Sequence, residues 1–151
     1  MDKLNKWLTL IANLGVLIGI VFVAIEIQQN TQVSRSIAID SIQNASREQL
    51  MAMVLDESLL ALEMKARHEE ELSLQERARL SYYYEATLRH LENAFLQNEA
   101  NLLTDDLLES HEVDVRGMTQ NHGFAQRYWE GHKSMFSIEF REYVEGLLRS
   151  P

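Results

Sequence analysis

The five histidines, His68, His90, His111, His122 and His132, are the side chains best suited to bind metals or carry protons near neutral pH. None belongs to a His-Glu-x-x-His motif or to the Glu-x-x-His pair of di-iron bundles. The nearest approach to a ligand set is His111 with Asp114 one helical turn on and Glu112 beside them. Helical residues three apart share a face by geometry alone, so this spacing selects no metal. The nucleophile elbow Gly-x-Ser-x-Gly is absent, as are the P-loop and the dinucleotide glycine fingerprint. There is no cysteine, which excludes disulfides, thiolate nucleophiles and cysteine-ligated zinc or iron–sulfur. Carboxylates number 23 among 151 residues, so acidic pairs recur everywhere and their proximity in sequence says nothing about catalysis. The residues therefore assemble no catalytic constellation, and the expectation is a chain without enzymatic activity, metal or cofactor.

What the sequence does carry is a hydrophobic element. Leu8 to Ile25, LTLIANLGVLIGIVFVAI, runs 18 residues without a charge. As a helix it spans about 27 Å, close to the hydrocarbon thickness of a bilayer. Trp7 stands at its near edge, where indole rings favour the interface, with Lys3 and Lys6 before it. A cleaved signal peptide shares a basic start and an apolar core, but this run exceeds a typical core. Its one small-residue exit, Ala24, has the bulky Phe22 two positions before it. The expectation is a retained transmembrane anchor over residues 1–27. Within it Gly15 and Gly19 form Gly-x-x-x-Gly, and Ala12, Gly15, Gly19, Phe22 and Glu26 fall on one stripe. Glycines four apart strip side chains from one face and let a second helix approach closely, which predicts a homo-oligomer in the bilayer. Glu26 is either an interfacial carboxylate or a member of an acidic ring around an oligomer axis.

Charge is distributed unevenly. Beyond residue 27 stand 12 Lys and Arg against 21 Asp and Glu, so the net charge of −9 belongs to the segment after the anchor. Phosphate backbones repel such a surface, and nucleic acid is excluded as a partner. Acidic surface also keeps a domain soluble, which is its simpler meaning.

From Ile20 to Arg116 there is neither glycine nor proline, 97 residues in all. Strands and tight hairpins need such punctuation, so the stretch reads as helix upon helix with ends set by caps. The pattern predicts a first helix from Gln28 to about Leu55, continuous with the anchor, with Ile39, Ile42, Leu50, Met53 and Val54 as its apolar stripe. Asp56 is the expected cap of a short helix, ESLLALEMKAR, that ends before Glu69-Glu70-Glu71. Ser73 and Glu76 make a capping box that opens a long helix to about Leu103. Its core stripe is Leu80, Tyr84, Leu88, Leu91, Phe95, Asn98 and Leu102, with Arg89 and Glu92 expected outside. Tyr82, Tyr83 and Tyr84 span about 200° of helix, so at least one ring leaves the core face. Thr104 caps a further helix that should fade near Gly117 or Asn121. Six of the twelve aromatic residues fall after Gly123, which predicts that the tail packs on the bundle. The fold class is thus all-α: one transmembrane helix followed by a four- to five-helix bundle over residues 28–151.

Three stretches resemble a family of small bacterial membrane-anchored proteins for which no activity is established. They are IEIQQNT (Ile25 to Thr31), ENAFLQNEANLLTDDLLE (Glu92 to Glu109) and GFAQRYWEGHKSMFSIEFREYV (Gly123 to Val144). The resemblance implies a single-pass anchor and a helical domain in a Gram-negative inner membrane. Members of that family carry basic residues just after the anchor, where this chain has Gln28 and Gln29 beside Glu26. Sidedness stays open between two arguments. Lys3 and Lys6 against Arg35 favour a cytoplasmic N-terminus, whereas the resemblance favours a cytoplasmic domain, and the latter is the expectation adopted. The functional expectation is a self-associating, membrane-anchored interaction module. Its alternatives are a small channel-like assembly with Glu26 at its mouth, and an enzyme or metal protein using His111, Asp114 or another, unrecognised cluster.

Overall fold

The structure, a computed structural model, describes residues 2–120 and 123–149, with the side chains of residues 114 and 118–120 outside the description. Six α-helices and one 3₁₀ turn hold most of the described residues, and there is no strand among them. They are α1 (Asp2–Leu55), α2 (Glu57–Arg67), α3 (Leu74–Glu99), α4 (Asp105–Gln120), α5 (Gly123–His132), the 3₁₀ turn (Lys133–Met135) and α6 (Ile138–Arg149). Two compact units divide the chain, Met1–Ile37 and Ala38–Pro151. The first is helix throughout its described length, and its apolar side chains from Leu4 to Ile37 are exposed. The second is a helical bundle.

α1 runs unbroken from the apolar segment into the bundle, as the missing breakers require. It stops where Asp56 turns out of helical geometry, and the Asp56 carboxylate accepts from the Ser58 and Leu59 backbone N–H groups at 3.1 Å each. α2 then occupies Glu57–Arg67 and buries Leu59, Leu62 and Ala66. The exposed run Glu69-Glu70-Glu71 forms the turn after it, and Glu69 takes the left-handed conformation at φ 55°. Asn101 does the same after α3, at φ 57°. A stretch without glycine has to seat ordinary residues where glycine commonly ends a helix.

α3 is the axis of the bundle and packs against α2, α4 and α5. Leu80, Tyr84, Leu88, Leu91 and Phe95 are buried along one face, with Asn98 and Leu102 half-buried beyond them. Of the three consecutive tyrosines, Tyr84 is buried, Tyr83 half-buried and Tyr82 exposed. The aromatic tail closes the core. Phe95 stacks near Tyr143 at 4.8 Å and Phe140 at 5.8 Å, and Trp129 lies 5.7 Å from Phe136. α4 adds Leu108 and Val115, and α6 adds Phe140, Val144 and Leu147.

Three local expectations are corrected. α3 ends at Glu99 rather than near Leu103. On α1 the buried residues are Ala38 and Ile42, whereas Leu50 and Val54 are 65% and 70% exposed. Glu92 is not a surface residue. Its carboxylate accepts from the Ser137 backbone N–H at 3.1 Å and from Arg89 Nη1 at 2.7 Å, tying α3 to the start of α6. Arg89 in turn donates to the Met135 carbonyl at 3.0 Å, and its guanidinium lies 4.3 Å over the Phe136 ring. Arg89 stays exposed as expected, whereas Glu92 was read outward because sequence spacing cannot show the α5–α6 connection coming down on that flank.

Replacing Glu92 with alanine leaves the part-buried Ser137 N–H without its acceptor. It should cost about 1–3 kcal/mol in denaturant unfolding, against less than about 0.5 kcal/mol for Leu96→Ala on the exposed face.

The capping box that opens α3 carries a pH signature. The Ser73 backbone N–H donates to Glu76 Oε2 at 2.7 Å, and Lys65 Nζ lies 3.0 Å from Glu76 Oε1. These contacts, the Ser73 N–H first, hold the Glu76 carboxyl down at about 2 against an ordinary 4.5. A depressed folded-state pKa gives stability that is complete above the unfolded value and is lost as pH falls through the folded one. Melting temperature of the wild type should therefore drop between pH 4.5 and about 2 by more than that of Glu76→Gln, and the two curves should converge at the acid end.

Candidate functional site

Two places on the chain can be built up from residues. On α1, Ala12, Gly15, Gly19 and Phe22 advance by three or four positions and so keep to one face of the helix. All four are exposed, and a Cβ placed on Gly15 or Gly19 would meet nothing within 4 Å. Glu26 continues the face, in a shallow groove with Val23, Ile27, Gln29, Asn30 and Val33. A backbone bare over two turns is open to another helix at van der Waals distance.

The second place lies inside the bundle, where the C-terminal part of α1 meets α2 and α3. A cavity of about 150 Å³ is lined by Ser46, Gln49 and Leu50 of α1, Glu63 and Arg67 of α2, and Tyr83, Tyr84, Thr87 and His90 of α3. Glu63 falls on the buried face of α2 between Leu59 and Ala66, and its side chain is 7% exposed. A carboxylate this deep needs partners. Tyr84 donates its hydroxyl to Glu63 Oε2 at 2.8 Å, and Arg67 Nε donates to Oε1 at 3.1 Å. Burial, reinforced by the Glu63 charge and hydrogen bond, pushes the Tyr84 hydroxyl well above the ordinary tyrosine range. It stays a donor at every physiological pH. Across the cavity Gln49 donates its amide to Thr87 Oγ1, and Thr87 donates to the Tyr83 carbonyl at 3.0 Å.

At the other end Ser46 Oγ lies 2.8 Å from His90 Nε2 and 3.5 Å from His111 Nδ1, and the two imidazoles meet edge to face at 5.0 Å. A serine hydroxyl between two ring nitrogens has one proton to give. In the neutral pair it donates to one imidazole and accepts from the other. The contact resembles the nucleophile–base half of a hydrolytic site, and the local backbone argues against that use. Ser46 sits in the interior of α1, where neighbouring N–H groups are spent on the helix and cannot form an oxyanion hole.

Of the sequence-derived metal candidate, His111 and Glu112 turn to different partners. His111 turns to His90 and Ser46, whereas Glu112 accepts from the Tyr143 hydroxyl and pairs with Arg116 at 3.3 Å. Asp114 lies outside the described side chains, as does His122. Among the described residues no three His, Cys, Asp or Glu side chains converge on a point that could hold a metal ion. Sequence spacing missed the Ser46–His90–His111 cluster because its members come from three helices. For the Glu63 end of the cavity the readable signal was Tyr84, a hydroxyl on a core-facing stripe that had to find a buried acceptor. Comparison with protein-family models, curated proteins and solved structures finds no match to this chain.

Tyr84→Phe keeps the ring and deletes the donor to a buried carboxylate. Chemical denaturation should show a loss of about 1.5–3 kcal/mol, the range for a hydrogen bond to a charged group. A neutral result would mean that solvent reaches Glu63.

Proposed function

We propose that this chain is a single-pass membrane protein whose acidic helical bundle is held at a bilayer by residues 8–25. It associates with copies of itself through the Ala12–Gly15–Gly19–Phe22 face and works as an interaction module without catalysis. One observation carries the reading: 18 successive uncharged residues form a helix whose apolar side chains are exposed from end to end. In water such a surface far exceeds the patches that soluble monomers tolerate. In hydrocarbon it is the expected surface, and the helix meets its own backbone hydrogen-bonding needs. Trp7 and the lysines at positions 3 and 6 suit one interface, and Glu26, Gln28 and Gln29 the other.

Self-association rests on the two bare glycines. Lipid competes with any hydrophobic contact between helices, so close backbone packing has to supply the energy. The resemblance to bacterial membrane-anchored proteins supports an inner-membrane location with the bundle in the cytoplasm, and the acidic surface supports protein partners over nucleic acid. Glu26 lies on the glycine stripe, which gives a channel-like assembly its one specific support.

Full-length protein should stay in membranes through carbonate washing. Crosslinking in those membranes should give oligomers for the wild type that Gly15→Leu and Gly19→Leu abolish, while Leu14→Ala, off the stripe, leaves them. Unchanged oligomers in both leucine variants would assign association to the bundle and remove the channel. Recovery of the protein in the wash would overturn the anchor itself. Cation selectivity in liposomes that Glu26→Gln alters would favour the channel over the simple module.

A further inference from the structure

The cavity between α1, α2 and α3 places a buried negative charge beside a positive one, with neutral hydrogen-bonding groups beyond them. The Glu63 side chain is 7% exposed, and Arg67, with its side chain 46% exposed, lines the same cavity. Among the described residues Arg67 engages Glu63 through Nε alone, which leaves the terminal pair of the guanidinium at the cavity wall. That pair presents two parallel donors in the geometry that matches a carboxylate. Further in, Gln49 and Thr87 hydrogen-bond to each other and Ser46 meets His90, so this end offers uncharged donors and acceptors. Leu50 supplies an apolar edge.

We propose that this cavity binds a small zwitterionic α-amino acid with a polar side chain. The ligand carboxylate lies on the Arg67 fork, its ammonium faces Glu63, and its side chain reaches Gln49, Thr87 and Ser46.

Charge balance selects the class. Glu63 and Arg67 together are neutral. A simple anion would leave one uncompensated negative charge beside Glu63, and a simple amine one positive charge beside Arg67, each costly in a partly desolvated site. A zwitterion sets its two charges against theirs and adds no net charge. Size points the same way. The cavity, about 150 Å³, is well below the several hundred Å³ of sites for drug-sized molecules. The six helical steps from Tyr84 to His90 rise about 9 Å, the length of an extended amino acid. Polar groups lining this end favour an amide or hydroxyl side chain over an aliphatic one, because an aliphatic group would set hydrocarbon against them with no hydrogen bond to offer. The proposal concerns the bundle alone and stands whether or not the anchor self-associates.

The test is equilibrium dialysis of the full-length chain in detergent micelles against radiolabelled L-glutamine, L-serine, L-leucine, succinate and putrescine. Saturable binding of glutamine or serine is expected, with leucine weaker and no saturation by succinate or putrescine. Arg67→Lys keeps the charge but loses the fork, and should weaken binding at least about tenfold with unchanged circular dichroism. Gln49→Leu should shift the preference toward leucine, a change that a merely structural role for Gln49 would not produce. No saturable amino-acid binding by the wild type at concentrations on the order of 10 mM would overturn the proposal. So would succinate or putrescine binding as tightly as glutamine, full affinity in Arg67→Lys, or an unaltered preference in Gln49→Leu.

Discussion

Each helix begins with backbone N–H groups that have no partner inside it and ends with carbonyls in the same position. In most chains glycine and proline help to place those ends. Here the 97 residues from Ile20 to Arg116 contain neither, and side chains have to do it. Asp56 accepts from two N–H groups and starts α2, and Ser73 and Glu76 satisfy each other's backbones and start α3. Glu69 and Asn101 turn the chain in left-handed conformations that cost an ordinary residue more than glycine. The arrangement of the bundle depends on these few contacts. A shift of one residue in the α3 cap would rotate its stripe by about 100° and take Leu88 and Leu91 out of the core.

Once α3 is fixed in register, two buried carboxylates, Glu92 on α3 itself and Glu63 on α2, serve as acceptors for other elements. Glu92 takes the Ser137 N–H and holds the start of α6, and Glu63 takes the Tyr84 hydroxyl and holds α2 against α3. Each also has an arginine on its own helix, Arg89 three residues away and Arg67 four. The pattern is economical in physical terms. Burying an acid costs several kcal/mol unless charge and hydrogen bonds are restored, and a same-helix arginine restores charge without ordering a distant side chain. The acid's remaining oxygen is then left for an inter-helix contact, which orients packing more narrowly than apolar surface does.

What the sequence made legible follows from the range of the interactions. The Asp56 cap, the Ser73–Glu76 box and the α3 stripe from Leu80 to Phe95 are set within four residues of themselves, and the structure places each as expected. The helical class followed from the missing breakers, and the apolar helix from composition. Glu92 was misread because its partner on the α6 side is 45 positions away, and a charge at that spacing looks like any outward-facing acid. Leu50 and Val54 were misread in the opposite sense. Hydrophobic type marked them for the core, but the helices packed against α1 cover Ala38 and Ile42 instead. The cavity was invisible for the same reason, because Ser46, Glu63 and His90 come from three helices and no local pattern joins them.

The two units present contrasting surfaces. Residues 8–25 expose apolar side chains and carry no charge, whereas the segment beyond residue 27 carries the whole net charge of −9. Under the proposed assembly these surfaces pull in different directions. Close packing at Gly15 and Gly19 is a short-range attraction in hydrocarbon and is indifferent to salt. Like-charged domains brought together by that packing repel one another in water, over a distance of about 8 Å at physiological ionic strength. The anchor therefore supplies the attraction and the domain limits it.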